Sequence, residues 1–430
     1  MPENVFNIYS ILGIGLFTLA YVFIALEDKF HINKSGVAIA LGAFLWLLAV
    51  LMTGDGKEVS ESLLHDSQEI FSIVVFLLSA MTIVEMMIHF GLFDWVQEKI
   101  MEKKLSSAQL FWILGIVTFF LSGVLDNLTT TLIMIQIGRK IYSHKKSFLI
   151  FVAATVIAAN AGGAPSPLGD VTTIMIWLAG KASAGELLTL GMIPAFVTFA
   201  VPHYLLSRKI TQHEKAERPM PIKGKTANPD WTMIAIGFGS FAMPVIFSII
   251  GLPPFLGLLL GLGVVWIVND YKAKKGSEHH KNGDIINMLE KADVSTLMFF
   301  IGILLAVGAI AHMGILDYLG GHLFGDGSIN RLIAGSVALG GVSSILDNVP
   351  LVAAALKIFP ETKDIIWILL ALTAGTGGSL LVIGSAAGVA AMGQVKELNF
   401  SYYFKTATVP ALAGYIAGVI VWYGVYLFVG

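Results

Sequence analysis

Long apolar stretches joined by short polar connections run the length of this chain. The stretches Asn7 to Leu26, Leu187 to Leu206, Trp231 to Ile250 and Thr408 to Val429 each approach the ~20 residues that a helix needs to cross the hydrocarbon core of a bilayer. They are read as complete spans. The first has neither a basic n-region nor a small-residue cleavage site, so it is expected to stay as the first membrane helix. Other apolar stretches are interrupted halfway. Between residues 109 and 140 two arms flank Asp126-Asn127, and between 147 and 180 two arms flank a break rich in Gly and Pro. Arms of roughly 11–16 residues are too short to cross comfortably. The first interruption predicts a re-entrant hairpin that enters and leaves on one side, and the second predicts a helix unwound in mid-membrane. Backbone exposed at that depth is tolerated only where it is buried in protein or lines a cavity.

The chain then repeats itself. His89-Phe90-Gly91-Leu92-Phe93-Asp94 returns 223 residues later as His312-Met313-Gly314-Ile315-Leu316-Asp317. Ser122-Gly123-Val124-Leu125-Asp126-Asn127 returns at an offset of 221 as Ser343-Ser344-Ile345-Leu346-Asp347-Asn348. Gly162-Gly163 with Gly169 matches Gly377-Gly378 with Gly384 at an offset of 215, and Ile193-Pro194-Ala195-Phe196 matches Val409-Pro410-Ala411-Leu412 at 216. Landmarks that recur once each and keep their order mark a duplicated transporter fold. The expected fold class is an all-α polytopic membrane protein of two repeats, each with three scaffold helices, a re-entrant hairpin, a broken helix and a final helix. The first repeat covers 1–207: scaffold 7–90 (helices 7–26, 36–52 and 68–90), hairpin 109–140, broken helix 147–180 and helix 187–207. A cytoplasmic linker spans 208–229. The second repeat covers 230–430: scaffold 231–313 (helices 231–250, 254–269 and 294–313), hairpin 329–357, broken helix 364–394 and helix 408–429. Each half crosses five times, and an odd number of crossings makes the second copy inverted.

Composition and charge sharpen this picture. Only 13% of residues are charged and 56% are hydrophobic, against about 25% charged in an ordinary soluble domain. There is no cysteine, which excludes disulfides, thiolate metal sites and thiol catalysis. With the N-terminus outside, only Lys57, Lys181, Arg331, Lys357 and Lys363 of the 27 Lys and Arg face outward. The other 22 fall in cytoplasmic loops, as the positive-inside rule requires. Both termini are therefore expected outside.

Ionisable groups inside spanning segments are costly and functional by default. Asp126 and Asp347 stand at the two hairpin tips, and inversion brings one tip toward the midplane from each side. Around them lie oxygen donors suited to a small hard cation: Asn127, Thr129, Thr130, Thr131, Asn160, Ser166, Asp170, Thr172 and Thr173 from the first half, and Ser343, Ser344, Asn348, Thr373, Thr376, Ser379 and Ser385 from the second. Gly162, Gly163, Gly377 and Gly378 are read as points of backbone unwinding. Helix capping is the competing role for Asp170, Ser122, Thr130, Ser166 and Ser385. Glu85, whose repeat counterpart is Gly308, is a candidate proton relay or vestibule residue. His89 and His312 are candidates for pH sensing, with an ordinary helix-end role as the alternative. No nucleotide-binding fingerprint occurs in a strand–helix context.

Leu125-Asp126-Asn127-Leu128-Thr129-Thr130-Thr131 and Asn160-Ala161-Gly162-Gly163-Ala164-Pro165-Ser166-Pro167-Leu168-Gly169-Asp170-Val171-Thr172-Thr173 resemble the NhaD-type sodium/proton antiporters of the ion transporter superfamily. Leu346-Asp347-Asn348-Val349-Pro350 and Gly375-Thr376-Gly377-Gly378-Ser379 fit the same pattern. The resemblance implies efflux of sodium or lithium against proton entry across a bacterial inner membrane, by a homodimer whose scaffold carries a moving transport unit. It implies no cofactor and no nucleic-acid partner; the bound metal is the transported Na+. It also implies a functional set of Asp126, Asn127, Asn160, Asp170, Thr172, Thr173, Ser343, Asp347 and Asn348. Ser385, standing where the first half has Asp170, departs from strict symmetry. Two rival readings remain. An organic anion or arsenite carrier of the same superfamily would place an anion against two carboxylates. An intramembrane aspartyl protease would need the Gly-x-Gly-Asp signature, of which Pro167-Leu168-Gly169-Asp170 lacks the first Gly.

Overall fold

The computed structural model describes residues 7–102, 105–210, 229–274, 284–325, 327–359, 362 and 364–429, and among these the architecture is all-helical. Nine described helices are long and apolar enough to span a membrane. Most of the expected helices appear within a few residues of their reading: Ile8–Ala25, Lys34–Thr53, Ala184–Ser207, Trp231–Ile249, Pro254–Lys274, Val294–His312 and Thr408–Val429. Polar side chains start several of them. Asn7 and Asn33 cap the first two long helices, and Ser183 with Glu186 forms a reciprocal capping box at Ala184–Ser207. Most of the expected 208–229 linker lies outside the described residues.

Three elements differ from expectation. The helix read as 68–90 runs Gly56–His89, 34 residues, because the polar stretch before Ile70 contains no Gly or Pro to stop it. The first arm of the broken helix is Lys145–Gly163, 19 residues, followed by only 8 in Val171–Leu178; the break falls late, at 164–170. Short helices Leu92–Met101 and Ile315–Phe324 fill what had been read as connections. The repeated His-x-Gly motif makes their joints. Gly91 and Gly314 take left-handed backbone at φ 85 and 75, a conformation that costs a residue without Cβ almost nothing.

The chain forms two compact units, each drawing on both halves: Met1–Glu85 with Ala242–Leu332 and Val352–Thr362, and Met86–Phe241 with Ile333–Leu351 and Lys363–Gly430. In the first unit Lys34–Thr53 packs along Val294–His312. A Cβ on Gly302 would overlap the Ala38 and Ile39 backbone, so the helices meet at backbone distance, the contact that small residues permit in a bilayer. Ser35 Oγ donates to Ser295 O at 2.6 Å near their starts. Asp66, 8% exposed, accepts from Lys357 Nζ at 2.9 Å, and Glu69 accepts from the same ammonium at 3.1 Å. The Asp66 carboxylate fills the space left by the missing side chain of Gly308.

In the second unit the two final helices, Ala184–Ser207 and Thr408–Val429, pack against each other, with Thr198 seated over Gly414 and Gly418. His203 is buried, stacks on Phe111 at 4.1 Å and contacts Phe111 O at 3.0 Å. At one end of this unit Lys145 pairs with Glu397 at 3.0 Å, and the hydrogen bond from that ammonium holds the Glu397 carboxyl below its ordinary range. At the other end Lys181 lies over the Trp367 ring.

Candidate functional site

Both Asp-Asn motifs sit at junctions between short helices. Ser107–Ser122 and Asn127–Ile141 flank Asp126; Ile329–Val342 and Asn348–Ile358 flank Asp347. Asp126 caps the second arm, accepting from Thr129 N at 2.7 Å, and Asp347 accepts from Val349 N at 3.2 Å. Asp170 caps the helix after the first break, taking the Thr172 amide at 2.9 Å and the Thr172 hydroxyl at 2.7 Å on Oδ1.

From Asp170 a hydrogen-bonded chain crosses the second unit. Asn127 Nδ2 donates to Asp170 Oδ2 at 3.3 Å and to Asn160 Oδ1 at 3.0 Å. Asn160 Nδ2 then donates to Ser379 Oγ at 2.8 Å and Ser385 Oγ at 2.9 Å. Asn160, Asp170, Ser379 and Ser385 are all buried. One network therefore joins the first Asp-Asn junction to both helix breaks. Position explains an asymmetry. At the offset of 215 the counterpart of Asn160 is Gly375, and a Cβ there would stand 3.3 Å from Asp170 Oδ2. The bare glycine leaves the second carboxylate oxygen room that an Asn would fill.

Matched positions make matched contacts. Ser122 Oγ donates to Ala159 O at 2.7 Å, and its counterpart Ser343 Oγ donates to Ala374 O at 2.8 Å. A Cβ on Gly162 would overlap Phe119 O, and one on Gly377 would overlap Gly340 O; Gly169 and Gly384 meet Ser122 O and Ser343 O in the same way. Each interrupted pair is thereby clasped to the broken helix of its own half. These contacts correct the reading of the glycines. Gly162, Gly163 and Gly377 belong to the ends of regular helices, and only Gly378 lies in a break; close backbone approach, not unwinding, excludes a side chain at Gly162 and Gly377.

Among the other expected donors, Thr173 Oγ1 donates to Ala164 O at 2.8 Å, Thr376 Oγ1 to Leu372 O at 2.6 Å and Ser343 Oγ to Ala374 O at 2.8 Å, and each oxygen keeps its lone pairs as an acceptor. Asn348 is buried at the start of its helix, and Thr129 is half-buried beside Asp126. Glu85 lies within Gly56–His89, whose last residue, His89, packs edge-on to Phe90 at 4.9 Å. His312 ends its helix against Trp46, ring centres 5.6 Å apart. Ser385 both caps its helix, accepting from Gly388 N at 3.1 Å, and joins the network; its pairing with Asp170 across the repeat was the available signal. Tyr403, whose OH donates to Ser379 O at 2.7 Å, gave none. Among the described residues no group of three His, Cys, Asp or Glu is arranged to hold a metal.

Interrupted helices that gather carboxylates, amides and hydroxyls within an apolar helical protein define a membrane transporter. Comparisons narrow that class. The CitMHS family, described as citrate transporter, matches residues 21–375. Sodium/proton antiporters 1 and 2 of Arabidopsis thaliana are 38% and 36% identical, each over 96% of this chain and over 72% and 99% of their own lengths. The Na(+)/H(+) antiporter NhaD of Alkalimonas amylolytica is 33% identical over 95% of this chain and 89% of its own. The chain belongs to the CitMHS transporter family, and its similarity to NhaD antiporters over nearly its whole length makes it NhaD-type.

Proposed function

We propose that the protein is a sodium/proton antiporter, with lithium as an alternative cargo, that exchanges cytoplasmic sodium for external protons across a bacterial inner membrane. Its ion site is formed by Asp126, Asn127, Asn160, Asp170 and Asp347, supported by Thr172, Ser379 and Ser385. The observation that carries the reading is the network from Asp170 through Asn127 and Asn160 to the two serines. Sodium takes oxygen donors, and the site has carboxylate, amide and hydroxyl oxygens. A carboxylate out of water holds a proton readily, and a nearby cation displaces it. One site can then hold sodium or protons in turn, and exchange follows if the protein moves only when loaded. The two repeats are inverted, both junctions are re-entrant, both termini lie outside, and the protein works as a homodimer.

Asp126→Asn and Asp347→Asn should each abolish sodium-dependent proton flux in proteoliposomes followed with a pH-sensitive dye. Undiminished flux in both would remove these carboxylates from the mechanism. The family's description as citrate transporter favours a second reading, an organic anion carrier. Three carboxylates within one site oppose it, and uptake of labelled citrate by the same proteoliposomes decides between them.

A further inference from the structure

The helices Asn127–Ile141 and Lys145–Gly163 run antiparallel from the candidate ion site to the connection at 142–144. Two contacts fix their register. Asn127 bonds Asn160 at the site end, and farther along the Phe151 ring occupies the space a Cβ on Gly138 would take. Eleven residues of helix separate Asn127 from Gly138, about 16 Å at the usual rise. Thr131 and Thr155 lie between these contacts, and Ser147 lies beyond the ring. Thr131 precedes Gly138 by two helical turns, and Ser147 and Thr155 stand one turn either side of Phe151, so all three share the facing surfaces.

All three hydroxyls are buried, at 0%, 1% and 1% exposure, and none has a hydrogen-bond partner among the described residues. The same two helices contribute Met134, Ile135, Ile150 and Val152 to a buried apolar cluster. An orphaned buried hydroxyl costs about 1–3 kcal/mol, and three along one interface call for a common occupant. Each hydroxyl can both donate to and accept from water. We propose that a file of water runs between these helices from the ion site to the connection at 142–144, and that Phe151, resting on Gly138, is the plug that closes it. The file gives the site its aqueous access for small cations. This rests on the reading of the ion site above.

The absence of native cysteine makes a direct test available. Ser147→Cys, Thr155→Cys, Thr131→Cys and, as a buried control one residue around the helix, Val152→Cys are made singly in the full chain. Each is reconstituted and exposed from either side to a membrane-impermeant cationic methanethiosulfonate, which reacts with a thiolate reached by water. Ser147→Cys should react from the side bearing Lys145 and Lys146, and Thr155→Cys and Thr131→Cys more slowly from that same side. Adding Phe151→Ala should raise the latter two rates about tenfold by favouring the open state, and leave Ser147→Cys unchanged. Phe151→Leu, which keeps more of the packing, should give a smaller rise in the same direction. Reaction at Thr155→Cys and Thr131→Cys no faster than at Val152→Cys, with or without the Phe151 substitutions, overturns the proposal. Labelling requires no transport, so the water file and the ion-site assignment fail independently.

Discussion

Asn160 is the residue on which the candidate site turns, since its amide accepts from Asn127 and donates to two serines. Replacing it with Ala takes one partner each from Asn127, Ser379 and Ser385, of which Asn127 keeps Asp170 and Ser385 keeps the Gly388 amide, so the cost of about 1–3 kcal/mol for an orphaned buried group falls on Ser379. Asn160→Ala should therefore raise the sodium concentration for half-maximal antiport by at least an order of magnitude. Proteoliposome titration checks this, and an unchanged half-maximal concentration would count against the network. The sequence exposed Asp126, Asp170 and Asp347 because a carboxylate in an apolar run is conspicuous. It could not reveal that Thr173, Thr376 and Ser343 donate to backbone carbonyls, because the sequence does not show which acceptor a given hydroxyl turns to.

At the scale of elements, the interruptions were legible from arm length and from the Asp-Asn and Gly landmarks, whereas their exact ends were not. The break after Gly163 comes later than the glycines suggested, because glycine costs a helix only about 1 kcal/mol and packing against Phe119 O repays close approach. Glycines of different purpose should then respond differently. Gly377→Ala forces a methyl into the Gly340 carbonyl and should cost more than about 3 kcal/mol, beyond the common range for point substitutions. Gly393→Ala, which meets open space in a helix, should be neutral or gain up to ~1 kcal/mol. Thermal unfolding in detergent separates the two. The joints at Gly91 and Gly314 escaped notice as joints: the repeated motif was visible, but nothing in it announced left-handed backbone.

For the whole molecule, apolar content, the duplicated landmarks and the basic loops sufficed to read a polytopic transporter, and family membership agrees. What local sequence could not supply was partnership over long separations. Lys357 and Asp66 are 291 positions apart, and no pattern near either predicts their pairing. Removing one member of a largely buried ion pair costs about 3–5 kcal/mol because the other is stranded, whereas neutralising both costs much less. Lys357→Met should therefore lower the unfolding temperature more than Asp66→Asn combined with Lys357→Gln. Glu69, on the same ammonium but half exposed, should contribute little by itself.

The clasps of Ser122 on Ala159 and Ser343 on Ala374 close within each half, while the bonds of Asn160 to Ser379 and Ser385 close between halves. The proposed ion site therefore needs both halves, the first carrying Asn160 and Asp170 where the second has Gly375 and Ser385. A chain severed between residues 211 and 228 should consequently regain antiport when both pieces are co-expressed, and neither piece should transport alone.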